Sequence, residues 1–237
     1  MSREQSVSRT LRAALIATFV LAFFTGCIFS PEKKDDDTIV EPPSVVAQPE
    51  DLIQVLASAY RLQDITAFAG MLANDPDNNA EYLFLLDPSA NQGETQWGFE
   101  EETRLHQRMF DPENTLPGDP PVPTEYWLTS ISITLTLSTP FTERTDLYQS
   151  AQNPTGLPAD KWKATDAIYA TDVLFDTQGR LDFQVTGRAN FVVVEDLTKT
   201  IGDPGKFLIL YWRDFGTISN SIKGQQTTWS ELKLLYK

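Results

Sequence analysis

Apolar residues recur with two different periods along this chain, and the change of period predicts the order of its elements. Between residues 49 and 72 they recur every three to four positions, which predicts two consecutive helices. The mostly apolar run Glu81–Leu86 predicts a buried strand, and residues 99–110 return to helical spacing. From Trp127 onward apolar and polar residues alternate, which predicts half-buried antiparallel strands. These predicted strands are Trp127–Ser138, Ala164–Phe175, Leu181–Glu195 and Lys206–Arg213, and Thr228–Tyr236 is predicted as a last strand or a short helix.

Helices followed by a run of strands place the chain in the α+β fold class. We expect three N-terminal helices and an antiparallel sheet of about five to six strands in one globular domain at residues 49–237. A helical Tyr60 followed by Asp64, an apolar helix and the acidic turn Asn74-Asp75 precede the first predicted strand. With this order of elements, residues 49–213 resemble the nuclear transport factor 2-like superfamily. The resemblance implies a conical roll in which the three helices pack in a curved sheet that encloses an internal pocket.

The first 27 residues differ from the rest of the chain. Three arginines lie among residues 1–12, an apolar run spans Ala13–Phe24, and small residues then lead to Cys27, the single cysteine. This order is typical of a secretory signal, and the run is too short to cross a hydrocarbon layer of ~30 Å comfortably. The segment resembles the bacterial lipoprotein signal, whose lipobox ends in an acylated cysteine, although Phe24 stands where that family usually has leucine.

The resemblance implies that residues 1–26 are a signal peptide and that Cys27 carries acyl chains such as palmitate, which anchor the protein to a membrane. The alternative is a buried free cysteine after a signal anchor. Residues 27–48 are rich in proline and acidic residues, which favours a disordered tether. Ile28 follows the cysteine, and by resemblance to the sorting of enterobacterial lipoproteins this residue favours the outer membrane of the cell envelope. We expect the domain on the periplasmic face rather than on the cell surface.

Composition excludes several classes of function. The formal net charge of −14 repels phosphate, so nucleic acid and anionic headgroups are excluded as main partners. One cysteine excludes an internal disulfide framework or a thiolate cluster, and one histidine excludes a multi-histidine metal site. We therefore predict no metal site and no cofactor.

Enzymes of the superfamily polarise a carbonyl with a tyrosine or a protonated acid and use an aspartate or histidine base. By this resemblance the catalytic candidates are Asp87, at the end of the first predicted strand, Tyr60, and His106 with Glu102 one turn earlier. Each has a structural alternative: termination of the strand by Asp-Pro, a core tyrosine, and a packed histidine. The residues predicted to line an internal pocket are Tyr60, Phe99, His106 and Trp212.

Three functions remain open on the sequence. The leading hypothesis is a membrane-anchored lipoprotein whose domain binds a small apolar ligand or a protein partner without catalysis. The second is an isomerase- or dehydratase-like enzyme that works in the pocket. The third is a structural lipoprotein that forms a homodimer through its sheet.

Overall fold

The computed structural model describes residues 42–86, 95–113, 116–179, 182–216 and 225–237, which all belong to one unit, Glu41–Lys237. Cys27, the predicted signal peptide and Asp87 lie outside these residues. The described helices are α1 (Pro49–Leu62), α2 (Ile65–Gly70), α3 (Phe99–Phe110) and α4 (Trp229–Leu234). The described strands are β1 (Asn74–Asp75), β2 (Ala80–Glu81), β3 (Leu83–Leu85), β4 (Gln96–Gly98), β5 (Leu128–Leu137), β6 (Thr142–Glu143), β7 (Trp162–Thr177), β8 (Phe183–Asp196), β9 (Phe207–Gly216) and β10 (Gln225–Thr227).

The first two helices begin and end at residues whose chemistry explains the boundary. Pro49 starts α1, and a capping box between Gln48 and Asp51 satisfies its first backbone N–H groups. The helix ends where Gln63 adopts a left-handed conformation with φ of 53°. Asp64 then caps α2 by accepting a hydrogen bond of 2.9 Å from the N–H of Ala67.

Most strands form one mixed, eight-stranded sheet whose main path has the order β4-β3-β9-β8-β7-β5. The prediction of an antiparallel sheet of about five to six strands is therefore wrong in strand number and in the strand direction at two pairings. Strand β3 pairs with β9 in parallel, and β10 pairs with β8 in parallel. Alternation of apolar residues records which face of a strand is buried but not the direction in which its neighbour runs, so these pairings had no signal in the pattern.

Strand β5 shows the alternation that the sequence predicts over most of its length. Ile131 and Ile133 are buried, whereas Ser132 and Thr134 between them are exposed. Helix α1 contacts this strand. The guanidinium of Arg61 on α1 donates a hydrogen bond of 2.7 Å to the backbone oxygen of Ile133. Buried residues of the four helices and of one face of the sheet pack together and form the main core.

The opposite face of the sheet carries a second, smaller core. Val192 and Val194 of β8 belong to it, whereas their neighbours Phe191 and Val193 point into the main core. The long connection between β5 and β7 covers these residues and buries Leu157 there. The described residues contain no helix that is long and apolar enough to cross a membrane.

Two further predictions change in detail. The buried strand expected at Glu81–Leu86 is interrupted at Tyr82, which separates β2 from β3. The last element, left open as a strand or a short helix, is helix α4, because Thr228 and Glu231 form a capping box at its start.

Candidate functional site

Three of the four predicted pocket residues converge in the main core. Tyr60 of α1, His106 of α3 and Trp212 of β9 each have no exposed surface. The ring of Tyr60 lies 5.4 Å from that of His106 and 6.2 Å from that of Trp212, centroid to centroid. Phe99, two turns earlier on α3, is half-buried against the same core.

Tyr60 and His106 share a short hydrogen bond between the phenolic oxygen and Nε2. The opposite ring nitrogen, Nδ1, lies 2.9 Å from the backbone oxygen of Glu102, which can only accept. Nδ1 therefore carries the proton, and Nε2 accepts the hydrogen of the Tyr60 hydroxyl. The imidazole also stacks on Phe68, with 3.8 Å between ring centroids.

Burial holds both groups of this pair neutral. It lowers the pKa of His106 well below the ordinary value, and the positive charge of Lys233 acts in the same direction. Burial also raises the pKa of the Tyr60 hydroxyl well above its ordinary value, with a contribution from the charge of Glu102. The hydrogen bond thus joins an uncharged imidazole to an uncharged phenol.

A buried charged pair lies directly behind His106. Oε1 of Glu102 accepts a short hydrogen bond from the ammonium group of Lys233 and one of 3.2 Å from the hydroxyl of Tyr82. Glu102 and Lys233 have no exposed surface. Nδ1 of His106 lies 3.7 Å from the same carboxylate oxygen, which links the two halves of the network.

Aromatic rings surround the ammonium group of Lys233. Its Nζ lies 3.5 Å from the ring centroid of Phe84, 4.3 Å from that of Trp212 and 5.8 Å from that of Trp229. A cation over an aromatic face is stabilised by the ring quadrupole, and the attraction is larger when water is excluded. We call Glu102, Phe84 and Trp212 the ammonium cage.

Each charge of the pair depends on the other. Burial raises the pKa of the Glu102 carboxyl, and Lys233 partly offsets this increase by favouring the carboxylate. Burial lowers the pKa of Lys233, and Glu102 partly offsets that decrease. The loss of either residue would leave an uncompensated charge in the core.

Helix α4 brings Lys233 into the core and is held by polar contacts at both ends. The carboxylate of Asp214 accepts hydrogen bonds from the N–H and the hydroxyl of Ser230, at 3.0 and 2.9 Å. The hydroxyl of Tyr236 donates to the backbone oxygen of Tyr126 at 2.7 Å. Trp229, Leu232 and Tyr236 are fully buried beside the lysine.

Sequence reasoning named Tyr60, His106 and the nearby Glu102 but missed Lys233 and Tyr82. The available signal was the spacing of Trp229, Leu232, Lys233 and Tyr236, which places a lysine on the apolar face of a short helix. Asp87 lies outside the described residues, so its predicted role as a base stays a prediction.

A surface groove of about 210 Å³ lies elsewhere, between α1 and the turn that joins β8 to β9. Val45, Leu52, Met71 and Phe207 contribute to its lining. Lys206 also lines it, but its ammonium group already donates to two backbone oxygens at 2.8 and 2.9 Å. Among the described residues, no three histidine, cysteine, aspartate or glutamate side chains are grouped to hold a metal ion.

No protein-family model and no curated protein matches the sequence. Similar solved structures include a proposed aromatic ring hydroxylase from Novosphingobium aromaticivorans, with 14% identity, 69% of this chain and 82% of that chain covered, and a TM-score of 0.39. A nuclear transport factor 2-like protein from Salmonella enterica is 11% identical, with 73% of this chain and 90% of that chain covered and a TM-score of 0.39. A proposed dehydratase of the same family from Streptomyces avermitilis is 8% identical, with 71% of this chain and 93% of that chain covered and a TM-score of 0.41. Since these TM-scores are below 0.5, no activity is inferred from them.

Proposed function

We propose that this chain is a lipid-anchored protein of the bacterial cell envelope whose conical, nuclear transport factor 2-like domain binds a ligand or partner without catalysis. The anchor is supported by the order of charge, apolar run and small residues before Cys27. The fold assignment is supported by two helices, short strands and a third helix ahead of the long strands β5, β7, β8 and β9.

The absence of catalysis is supported by one observation: Tyr60 and His106 have no exposed surface and are hydrogen-bonded to each other. A general acid or base must come within hydrogen-bonding distance of the proton that it transfers. In this arrangement Nε2 of His106 is saturated by Tyr60, and Nδ1 by the backbone of Glu102. One face of the imidazole stacks on Phe68. The two side chains therefore act as core residues.

The anchor is tested by expressing the full-length chain with Cys27→Ser in a bacterium with an outer membrane. We expect the wild type in the membrane fraction, labelled by radioactive palmitate, and the variant unlabelled and released from membranes. Ser30→Ala, three residues further along, is the matched control and should behave as the wild type. Unchanged partitioning and labelling of Cys27→Ser would contradict the anchor.

Binding is tested by native mass spectrometry of the full-length chain released from detergent. A stoichiometric mass that is lost on denaturation would support a bound ligand. A defined dimer mass without any additional species would instead favour the structural lipoprotein that pairs through its sheet.

The second candidate is an isomerase- or dehydratase-like enzyme, and the convergence of Tyr60 and His106 favours it. A phenol hydrogen-bonded to a neutral imidazole, with the Glu102 carboxylate 3.7 Å behind, contains the group types that proton transfer requires. This function requires the core around His106 to open to a substrate.

Diethyl pyrocarbonate distinguishes the two candidates, because His106 is the only histidine of the sequence. If the domain is non-catalytic, the peptide that contains His106 should remain unmodified in the folded protein and react after denaturation. Modification in the folded protein at a rate close to that of free imidazole would favour the enzyme.

A further inference from the structure

The ammonium cage is assembled by elements that lie far from Lys233 in the chain. Glu102 comes from α3, Phe84 from β3 and Trp212 from β9, and each has no exposed surface. Only the cation is supplied by another element, helix α4. The cage is therefore a preformed set of one carboxylate and two aromatic faces around a single ammonium group.

These groups are chemically matched to a primary amine. A carboxylate accepts a charge-assisted N–H bond, and aromatic faces stabilise the rest of the cation. The cage also has capacity that Lys233 does not use, because Oε2 of Glu102 is buried with no hydrogen-bond partner among the described residues. An ammonium group that is not tethered to the backbone has the same three N–H donors as Lys233, but it is free to direct one of them at Oε2 of Glu102.

Helix α4, which carries Lys233, is short enough to undock from the cage. It has only six residues, whereas isolated helices of fewer than about 12 residues are marginal in water. Its position depends on contacts of its side chains with the body of the domain. These are the burial of Trp229 and Leu232 in the main core and the hydrogen bonds of Ser230 with Asp214 and of Lys233 with Glu102. Proteins open locally with free energies between zero and that of global unfolding, and an opening of this kind is what undocks a single helix.

We infer that the cage of Glu102, Phe84 and Trp212 is a recognition site for a primary ammonium group, that Lys233 occupies it from within the same chain, and that a small primary amine competes with Lys233 for it. This inference rests on the proposed binding function and names the ligand class of its interior site. Competition requires α4 to undock, since Lys233 and the cage are fully buried.

The first experiment supplies the missing ammonium group to the full-length Lys233→Ala variant. Because alanine keeps the β-carbon, n-propylammonium chloride replaces the atoms that are removed. We expect this salt to raise the melting temperature of the variant progressively with concentration, while equal concentrations of 1-propanol or sodium chloride do not. Lys163→Ala, which removes an exposed lysine, is the matched control and should show no such increase. Glu102→Gln added to Lys233→Ala should abolish it.

The second experiment tests competition in the wild type by deuterium exchange. We expect n-propylammonium to accelerate exchange in the peptide that covers residues 229–236 by about threefold or more, with no change in peptides of α3. If Lys233→Ala does not fold without amine, its refolding yield with and without n-propylammonium replaces the melting experiment.

Each outcome decides a part of the inference. No selective effect of the amine on Lys233→Ala would overturn the recognition site. If the amine raises the melting temperature of Lys233→Ala but does not accelerate exchange in the wild type, the competition is overturned. The cage would then be a site that Lys233 occupies permanently. Neither result bears on the membrane fractionation of Cys27→Ser, so failure of the ligand class and failure of the anchor are distinguished.

Discussion

Lys233→Met is the substitution that tests the charged interior most sharply. Methionine retains most of the side-chain volume and removes the charge, so the carboxylate of Glu102 loses its buried partner. Breaking a buried pair by removing one member costs about 3–5 kcal/mol, because the remaining charge is uncompensated. For a unit of this size that cost corresponds to a decrease of about 6–20 °C in melting temperature.

The pH dependence has a definite sign. In the variant, burial raises the pKa of Glu102 with no lysine to offset the increase. A carboxyl whose pKa is raised in the folded state binds its proton more tightly there than in the unfolded chain. The free energy of unfolding of the variant should therefore decrease as pH rises from 5 to 8, by up to about 1.4 kcal/mol per unit. The wild type should change less, because Lys233 stabilises the carboxylate.

Urea denaturation of the full-length chain at several pH values measures both effects. The double variant Glu102→Gln/Lys233→Met removes both charges and should regain most of the lost stability. Lys163→Met, at an exposed position, is the control and should stay within about 0.5 kcal/mol of the wild type. A Lys233→Met protein that loses less than about 1 kcal/mol, or a double variant whose loss is the sum of the single losses, would refute the reasoning.

Two further substitutions test the packing around this network by thermal denaturation. Tyr60→Phe leaves Nε2 of His106 buried without its donor and should cost about 1–3 kcal/mol; an unchanged stability would contradict the hydrogen bond. Gly179→Ala should destabilise the domain, because a β-carbon there would lie 2.8 Å from the backbone of Glu125. Gly70→Ala, on helix α2, is its control, because a β-carbon there would meet no described atom within 4 Å apart from its chain neighbours and the backbone of its own helix. This variant should be neutral or stabilising by up to about 1 kcal/mol. Equal effects of the two alanines would count against the close contact.

Local chemistry explains which parts of the fold were predictable from the sequence. Helix α3 has the predicted bounds, and the alternation of β5 correctly separates buried Ile131 from exposed Ser132. The same alternation fails at Leu137, which is 42% exposed although it continues the apolar series. The pattern does not record how far the covering helices extend over the strand.

The interior network was only partly predictable for a different reason. Tyr60 and His106 lie on apolar helix faces, so their burial in one core follows from periodicity. The pairing of Glu102 with Lys233 joins residues 131 positions apart, and no local signal specifies such a contact. The parallel pairing of β3 with β9 is also long-range, and the pattern of apolar and polar residues does not predict it.

The most direct test of the closed interior is a proton NMR titration of His106. Since the chain has a single histidine, its imidazole signals need no assignment by mutagenesis. Burial lowers the pKa of this ring well below its ordinary value, so the signals of the folded protein should not shift between pH 5 and 8. A titration with a midpoint near the ordinary histidine pKa of about 6.5 would show that the ring meets water, and would contradict the closed network.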